Sequence, residues 1–346
     1  MAKQGLTKKT ALNIVGRDKN WALCVGSGIS YPVFPLWKEL AKKITHKYVP
    51  QADNSFEDLS LKMSPEVLMQ AAASMAKKDH ETFSKDLAEV LYEGLFDGLS
   101  TSDSRCVRLC LTSAQGDTLD WARFLSIIEE KSQNKLTALS LAKSIMKLRE
   151  KNRAPASILS FNAEMLLGSL MNAIAYEKYQ ERKRFFDYII EPTSNHDKCR
   201  IPYYFCHGIM PVPGAKKERG RLFNADDRLV FLENEYLQLA NSSYSWQSSA
   251  FINTLTSSTV FFVGLSFVDP NIRRWLAWIQ EERQSAIIKQ VQTTVDSTSH
   301  YWIEIKPDSI IKMRMMEASV SHLGIRIIWI DDWSEVSDVL ENGILI

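Results

Sequence analysis

Short apolar runs that end abruptly at a glycine or a polar residue, most of them followed by a stretch of helical spacing, recur along this chain. They constrain its fold more than any other feature. The first is Trp21–Val25, which stops at Gly26-Ser27-Gly28; Trp37, Leu40, Ile44 and Tyr48 then recur on one helical face. A continuous apolar run closed by a turn signal is the pattern of a strand buried on both faces. An apolar stripe at helical period is the pattern of a helix lying on such a sheet. Further strands are predicted at Ala156–Ser160, Tyr203–Cys206, Leu229–Leu232, Val260–Leu265, Tyr301–Ile305 and Ile325–Ile330. Helices are predicted at Glu164–Arg182, Glu233–Ala240, Trp246–Leu255, Asn271–Arg283, Asp308–Ser321 and Trp333–Leu340. This alternation predicts an α/β fold, a Rossmann-like doubly wound parallel sheet with helices on both faces.

One block breaks the alternation. From Asp53 to Arg153 the chain is rich in Ala, Leu, Met and Lys, as in Glu66–Lys77 and Lys135–Lys151, and shows no strand pattern. It is too long for a simple crossover. With 346 residues the chain is also long for a single core. The expected organisation is therefore residues 1–52 opening the α/β domain, 53–153 as a helical insertion or subdomain, and 154–346 completing the domain.

Charge and cysteine content narrow the function classes. Lys plus Arg number 42 against 41 Asp plus Glu, so the balance gives no electrostatic argument for nucleic acid or membrane partners. No stretch approaches the roughly 20 apolar residues that cross a bilayer. The N-terminus lacks the apolar core of a secretion signal. Five cysteines, an odd set without a Cys-x-x-Cys pair, argue against a disulfide framework and a four-cysteine zinc ribbon. The expectation is a cytoplasmic protein with no metal site.

Four segments carry polar or glycine residues at predicted strand ends, where open α/β sheets bind ligands. Gly26-Ser27-Gly28-Ile29-Ser30 stands where a phosphate loop belongs, although Tyr31 replaces the third glycine of the GxGxxG fingerprint and a tight turn explains the glycines equally well. Ser160-Phe161-Asn162-Ala163-Glu164 closes the next strand; Asn162 either contacts a ligand or caps the following helix. Cys206-His207-Gly208 closes another, with His207 a general-base candidate or a structural histidine and Cys206 a buried small residue. Gly264-Leu265-Ser266 ends the longest apolar run, after which Asp269 and Pro270 read as the cap and first position of a helix bearing Arg273 and Arg274.

Together these segments resemble the SIR2 superfamily, and its bacterial antiviral-defence SIR2-like branch more than the true sirtuins. Gly26–Ser30 with Pro35 and Trp37 is similar to the GAGIS loop and its P-x-W continuation. Ser160–Leu167 resembles T-x-N-x-D-x-L, and Cys206-His207-Gly208 resembles the family HG. Leu229–Tyr236 resembles its acidic-Tyr segment, and Thr259–Arg274 its G-x-S-x-x-DPNIRR signature. Two departures stand out: Glu164 replaces the family aspartate, with Ala163 before it, and the zinc ribbon of the deacylases is missing.

The resemblance implies NAD as substrate and no zinc. It implies Asn162 and His207 as catalytic residues, Asn162 holding the nicotinamide ribose or the attacking water and His207 acting as base. It implies Gly26, Ser27, Gly28 and Ser30 at the pyrophosphate, Ser160 and Glu164 beside Asn162, and Gly264 and Ser266 toward the ribose. The expected activity is hydrolysis of NAD to ADP-ribose and nicotinamide by a toxic defence effector that depletes NAD when triggered. A homo-oligomer and a HerA-type ATPase are the partners implied. The alternatives are a non-catalytic nucleotide-binding scaffold subunit and, less favoured, an NAD-dependent deacylase.

Overall fold

The computed structural model describes residues 4–8, 20–113, 119–192, 196–215, 229–241, 245–291 and 299–345, and the statements that follow concern these. Residues 194–200 and 211–221, which read in sequence as polar or Gly/Pro-containing loops, fall partly outside them. The described residues form one eight-stranded sheet: β1 (Leu6–Thr7), β2 (Trp21–Val25), β3 (Ile158–Ser160), β4 (Phe186–Ile189), β5 (Ile201–Phe205), β6 (Thr259–Val263), β7 (His300–Ile305) and β8 (Ile325–Ile330). Its order is β1-β8-β7-β6-β2-β3-β5-β4, and every pairing is parallel. The predicted Rossmann-like α/β fold is what the chain adopts.

Side-chain alternation along the central strands builds two cores. Trp21, Leu23 and Val25 of β2 join Phe261 and Val263 of β6 in one apolar cluster; Ala22 and Cys24 join Val260 and Phe262 in the other. Successive side chains on a strand point to opposite faces, so an all-apolar run is required where both faces are covered. The thirteen helices supply the covers.

On the first face lie α1 (Trp37–Tyr48), α4 (His80–Phe96), α6 (Trp121–Lys131), α7 (Thr137–Glu150) and α8 (Leu166–Tyr179), which contribute Ile44, Leu87, Phe124, Ile145 and Leu170 to its core. Helices α2 (Phe56–Ser60), α3 (Pro65–Met75) and α5 (Thr101–Thr112) complete the helical block. Side chains of that block, Phe83 and Leu141 among them, lie in the same core as β2. The second face is covered by α9 (Glu233–Asn241), α10 (Trp246–Ser257), α11 (Pro270–Val291) and α12 (Ile310–Ser321), while α13 (Val336–Leu345) returns to the first.

Three elements differ from expectation. Leu229–Leu232 is not a strand. Its side chains are buried, but the N–H groups of Phe231 and Leu232 donate to the Glu235 carboxylate at 2.7 and 2.9 Å, so the apolar run serves as a capped helix entry. Strand β4 arises from Phe186–Ile189, where an interior Asp187 breaks the apolar pattern; that carboxylate accepts from Arg200 at 2.9 Å at the sheet edge. The two-residue β1 is too short to give a pattern.

The chain runs from central β2 to β3 on one side, then crosses back from β5 to β6 on the other. That reversal leaves a crevice beyond the carboxyl ends of β2, β3 and β6. None of the helices described is long and apolar enough to cross a membrane.

Candidate active site

A cavity of about 620 Å³ opens at this crevice, within the range of small-molecule sites. Its floor is the meeting of two loops. The Gly26 N–H donates to Val263 O at 3.1 Å and the Gly28 N–H to Gly264 O at 3.0 Å, joining the ends of β2 and β6. The approach leaves no room for side chains: a Cβ on Gly28 would lie 2.9 Å from Gly264 Cα. Gly264 itself has φ +66, and a Cβ there would lie 2.6 Å from Ile29 N. The glycines therefore serve loop-to-loop contact, and two N–H groups expected to face a pyrophosphate are engaged within the protein. Ser27–Ser30 forms a 3-10 turn, so the α-helix after the glycine loop begins only at Trp37. Its N-terminal residues Leu36, Trp37 and Lys38 nevertheless line the cavity, where an N-terminal dipole favours negative charge.

The residues predicted from sequence divide into two groups. Gly26, Ser27, Gly28, His207, Gly264 and Ser266 line the cavity. Ser30, Ser160, Asn162 and Glu164 do not; they are 1%, 0%, 5% and 4% exposed and form a connected network behind the wall. Glu164 Oε1 accepts from Ser30 Oγ at 2.6 Å and from Asn162 Nδ2 at 3.0 Å, and Oε2 accepts the Leu166 N–H. Burial pushes the Glu164 acid above its ordinary range, while these three donors pull it back. Ser160 Oγ accepts the Asn162 N–H at 3.1 Å. The Leu166 N–H at the start of α8 is therefore met by Glu164 and not by Asn162, which is held by its amide nitrogen. Its Oδ1 is buried with no hydrogen-bond partner.

Phe161, one residue before, forms the wall in front of this network. Its ring meets the His207 imidazole edge-on, centroids 4.9 Å apart. The two segments are stitched side by side by Cys206 N–H to Ser160 O at 2.8 Å and Met210 N–H to Ala163 O at 2.7 Å. Sheet register alone thus delivers Asn162 and His207 to adjacent strand ends. Cys206 is fully buried and its thiol pushed up by burial, as fits a packing residue.

Sequence reasoning missed several cavity residues. Asp269 was read only as a cap, which its Oδ1 does provide, accepting the Asn271 N–H at 2.7 Å. Its Oδ2 lies 3.4 Å from His207 Nε2. Phe267, at φ +54, turns the chain between Ser266 and Asp269 and carries the carboxylate back over the cavity. A left-handed conformation at a bulky residue is strained, and such strain clusters at functional positions. Tyr236 also packs edge-on against His207, centroids 5.3 Å apart. The helical block contributes Ser64, Pro65 and Glu66 to the rim, which its composition gave no means to foresee. Among the described residues, no group of three His, Cys, Asp or Glu side chains is placed to hold a metal ion.

Residues 170–328 match the SIR2-like domain. That stretch contains His207, Gly264, Ser266 and Asp269; the glycine loop and Asn162 precede it. The chain is also similar to NAD(+) hydrolase ThsA of Enterococcus faecium, at 27% identity over 121 residues. The alignment covers 33% of this chain and 25% of that protein, so the chain spans about a quarter of the length of the curated relative it matches.

Proposed function

We propose that this chain, which carries a SIR2-like domain, hydrolyses NAD to ADP-ribose and nicotinamide. One observation supports the reading most. A cavity at the carboxyl ends of a doubly wound sheet has an imidazole on its wall, and an asparagine with a buried, unpartnered carbonyl stands on the adjacent strand end. A buried acceptor without a donor is unfavourable unless a ligand or water satisfies it.

In this reading the nicotinamide end of NAD reaches past Phe161 to Asn162. Oδ1 accepts a hydrogen bond from a ribose hydroxyl or the attacking water. Nicotinamide leaves with the electron pair of its bond to C1′, which neutralises the pyridinium. Water adds to the oxocarbenium-like carbon, and its proton passes to His207. Ser27 and Ser266 offer hydroxyls to the phosphates and ribose, and the N-terminus of α1 offers its dipole. Glu164 acts through Asn162 and Ser30, since its oxygens already accept from protein donors. Residues 53–153 are read as an insertion that supplies one rim of the cavity.

The biological role proposed is that of a defence effector that depletes NAD when triggered, with self-assembly or a HerA-type ATPase as the control. The test is NAD loss and growth arrest on expression, compared between the parent and folded Asn162→Ala and His207→Ala proteins. If both variants stay as toxic as the parent, the assigned roles fail. A second reading, a non-catalytic nucleotide-binding scaffold, draws on the seclusion of Asn162 behind Phe161. It predicts ADP-ribose binding with no nicotinamide release in the triggered complex. Acyl-peptide-dependent turnover would instead favour deacylation.

A further inference from the structure

We infer that Asp269 is a positioning residue that holds neutral His207 in its Nε2–H tautomer, so that Nδ1 is the nitrogen that takes up the proton. This rests on the hydrolase reading for its catalytic meaning, though not for the contact itself. Asp269 Oδ2 and His207 Nε2 face each other at 3.4 Å, and both atoms are buried with no hydrogen-bond partner. The separation is slightly beyond the usual N–H···O range, and catalytic hydrogen bonds commonly tighten when substrate is bound.

Neither partner is free to turn away. Asp269 Oδ1 accepts the N–H groups of Asn271 at 2.7 Å and Ile272 at 3.4 Å, which fixes the carboxylate at the start of the 22-residue α11. The imidazole packs edge-on against the rings of both Phe161 and Tyr236. A neutral imidazole has one N–H, and a carboxylate accepts only. The single proton therefore sits on Nε2, and Nδ1 keeps its lone pair.

The dual use of Asp269 suggests a clean substitution. Asparagine caps helices about as well as aspartate. In Asp269→Asn the side-chain oxygen must stay on the helix N–H groups, because an NH2 group there would meet two donors. The NH2 group then faces His207 Nε2 and forces that nitrogen to accept, moving the proton to Nδ1.

The experiment is two-bond 1H–15N correlation of 15N-histidine protein, with the His207 signals assigned by their loss in His207→Gln. The expected result is the Nε2–H tautomer in the parent and the Nδ1–H tautomer in Asp269→Asn at a similar melting temperature. Nicotinamide release should then fall on the order of 10²-fold or more in kcat, as for loss of a general base, with KM nearly unchanged. Asp269→Ser also caps the helix but leaves Nε2 unpaired. Should Asp269→Asn fold poorly, mixed tautomers in that protein provide the same test. An Nδ1–H parent, or a tautomer unaltered by either substitution, overturns the pairing. A correct tautomer shift with kcat unchanged overturns the positioning role. Absence of nicotinamide release from the triggered parent would count against the hydrolase reading while the spectra still decide the contact.

Discussion

Replacing Glu164 by alanine tests whether the secluded network is a support for Asn162. The carboxylate accepts from Ser30 Oγ, Asn162 Nδ2 and the Leu166 N–H, all in buried surroundings. A hydrogen bond to a charged group contributes about 1.5–3 kcal/mol, and a buried donor left unpaired costs about 1–3 kcal/mol. Asn162 Nδ2 already donates to Ser30 Oγ at 3.4 Å, so that loss is partly recovered. The Leu166 N–H has no such recourse. Removing the charge also removes its own burial penalty, which is what pushes the acid upward. The balance is a destabilisation of about 2–4 kcal/mol, or a fall of about 4–8 °C in melting temperature at about 2 °C per kcal/mol for a chain of this size. Calorimetry reads both quantities; on the proposed hydrolase reading, nicotinamide release is also expected to drop about 10²-fold as Asn162 loses its orientation. A Glu164→Ala protein that melts within about 1 °C of the parent and turns over normally would refute the reasoning.

The other structural predictions are independent of that network. Gly264→Ala places a Cβ 2.6 Å from Ile29 N at φ +66. Left-handed strain of about 1–2 kcal/mol plus the lost loop contact should destabilise by about 2–4 kcal/mol and, on the proposed hydrolase reading, abolish ADP-ribose binding by calorimetry. Glu235→Ala strips the acceptor from the Phe231 and Leu232 N–H groups and from His80, and should lower stability by about 1–2 kcal/mol in urea unfolding. His300 is held neutral, its pKa lowered to about 3 first by burial and then by Arg283. The unfolded chain takes up its proton near pH 6.5, so this stabilisation is complete above that pH and is lost as pH falls toward 3. The expected slope is at most about 1.4 kcal/mol per pH unit in that window, and His300→Gln should flatten it in denaturation curves taken from pH 7 to 4.

Much of the fold was legible because buried parallel strands write themselves as uninterrupted apolar runs. Trp21–Val25 and Ile325–Ile330 have the bounds their composition suggested. Leu229–Leu232 has the same composition but a carboxylate three residues beyond, and Glu235 captured N–H groups that a ladder would otherwise need. Periodicity cannot see that competition. At the site, strand ends were legible because polar residues there interrupt apolar runs. What lies on the cavity and what lies behind it was not, since Asn162 and Phe161 are adjacent in sequence and differ only in which way the chain turns them.

The residues hardest to interpret from sequence are those with two duties. Asp269 before Pro270 satisfies every criterion for a helix cap, and a cap needs only one carboxylate oxygen. The second oxygen is committed by the cap to a fixed direction, and Phe267 bends the chain so that this direction is His207. Gly28 and Gly264 likewise look like turn glycines, yet Gly28 is required by the Gly264 backbone and Gly264 by the backbone of Gly28 and Ile29 across two strands. In both cases the local reading was sound and incomplete for the same reason. A rigid element satisfied by half of a functional group orients the remaining half at no further entropic cost, and a site built this way is preorganised by the helix ends and strand ends that fold it.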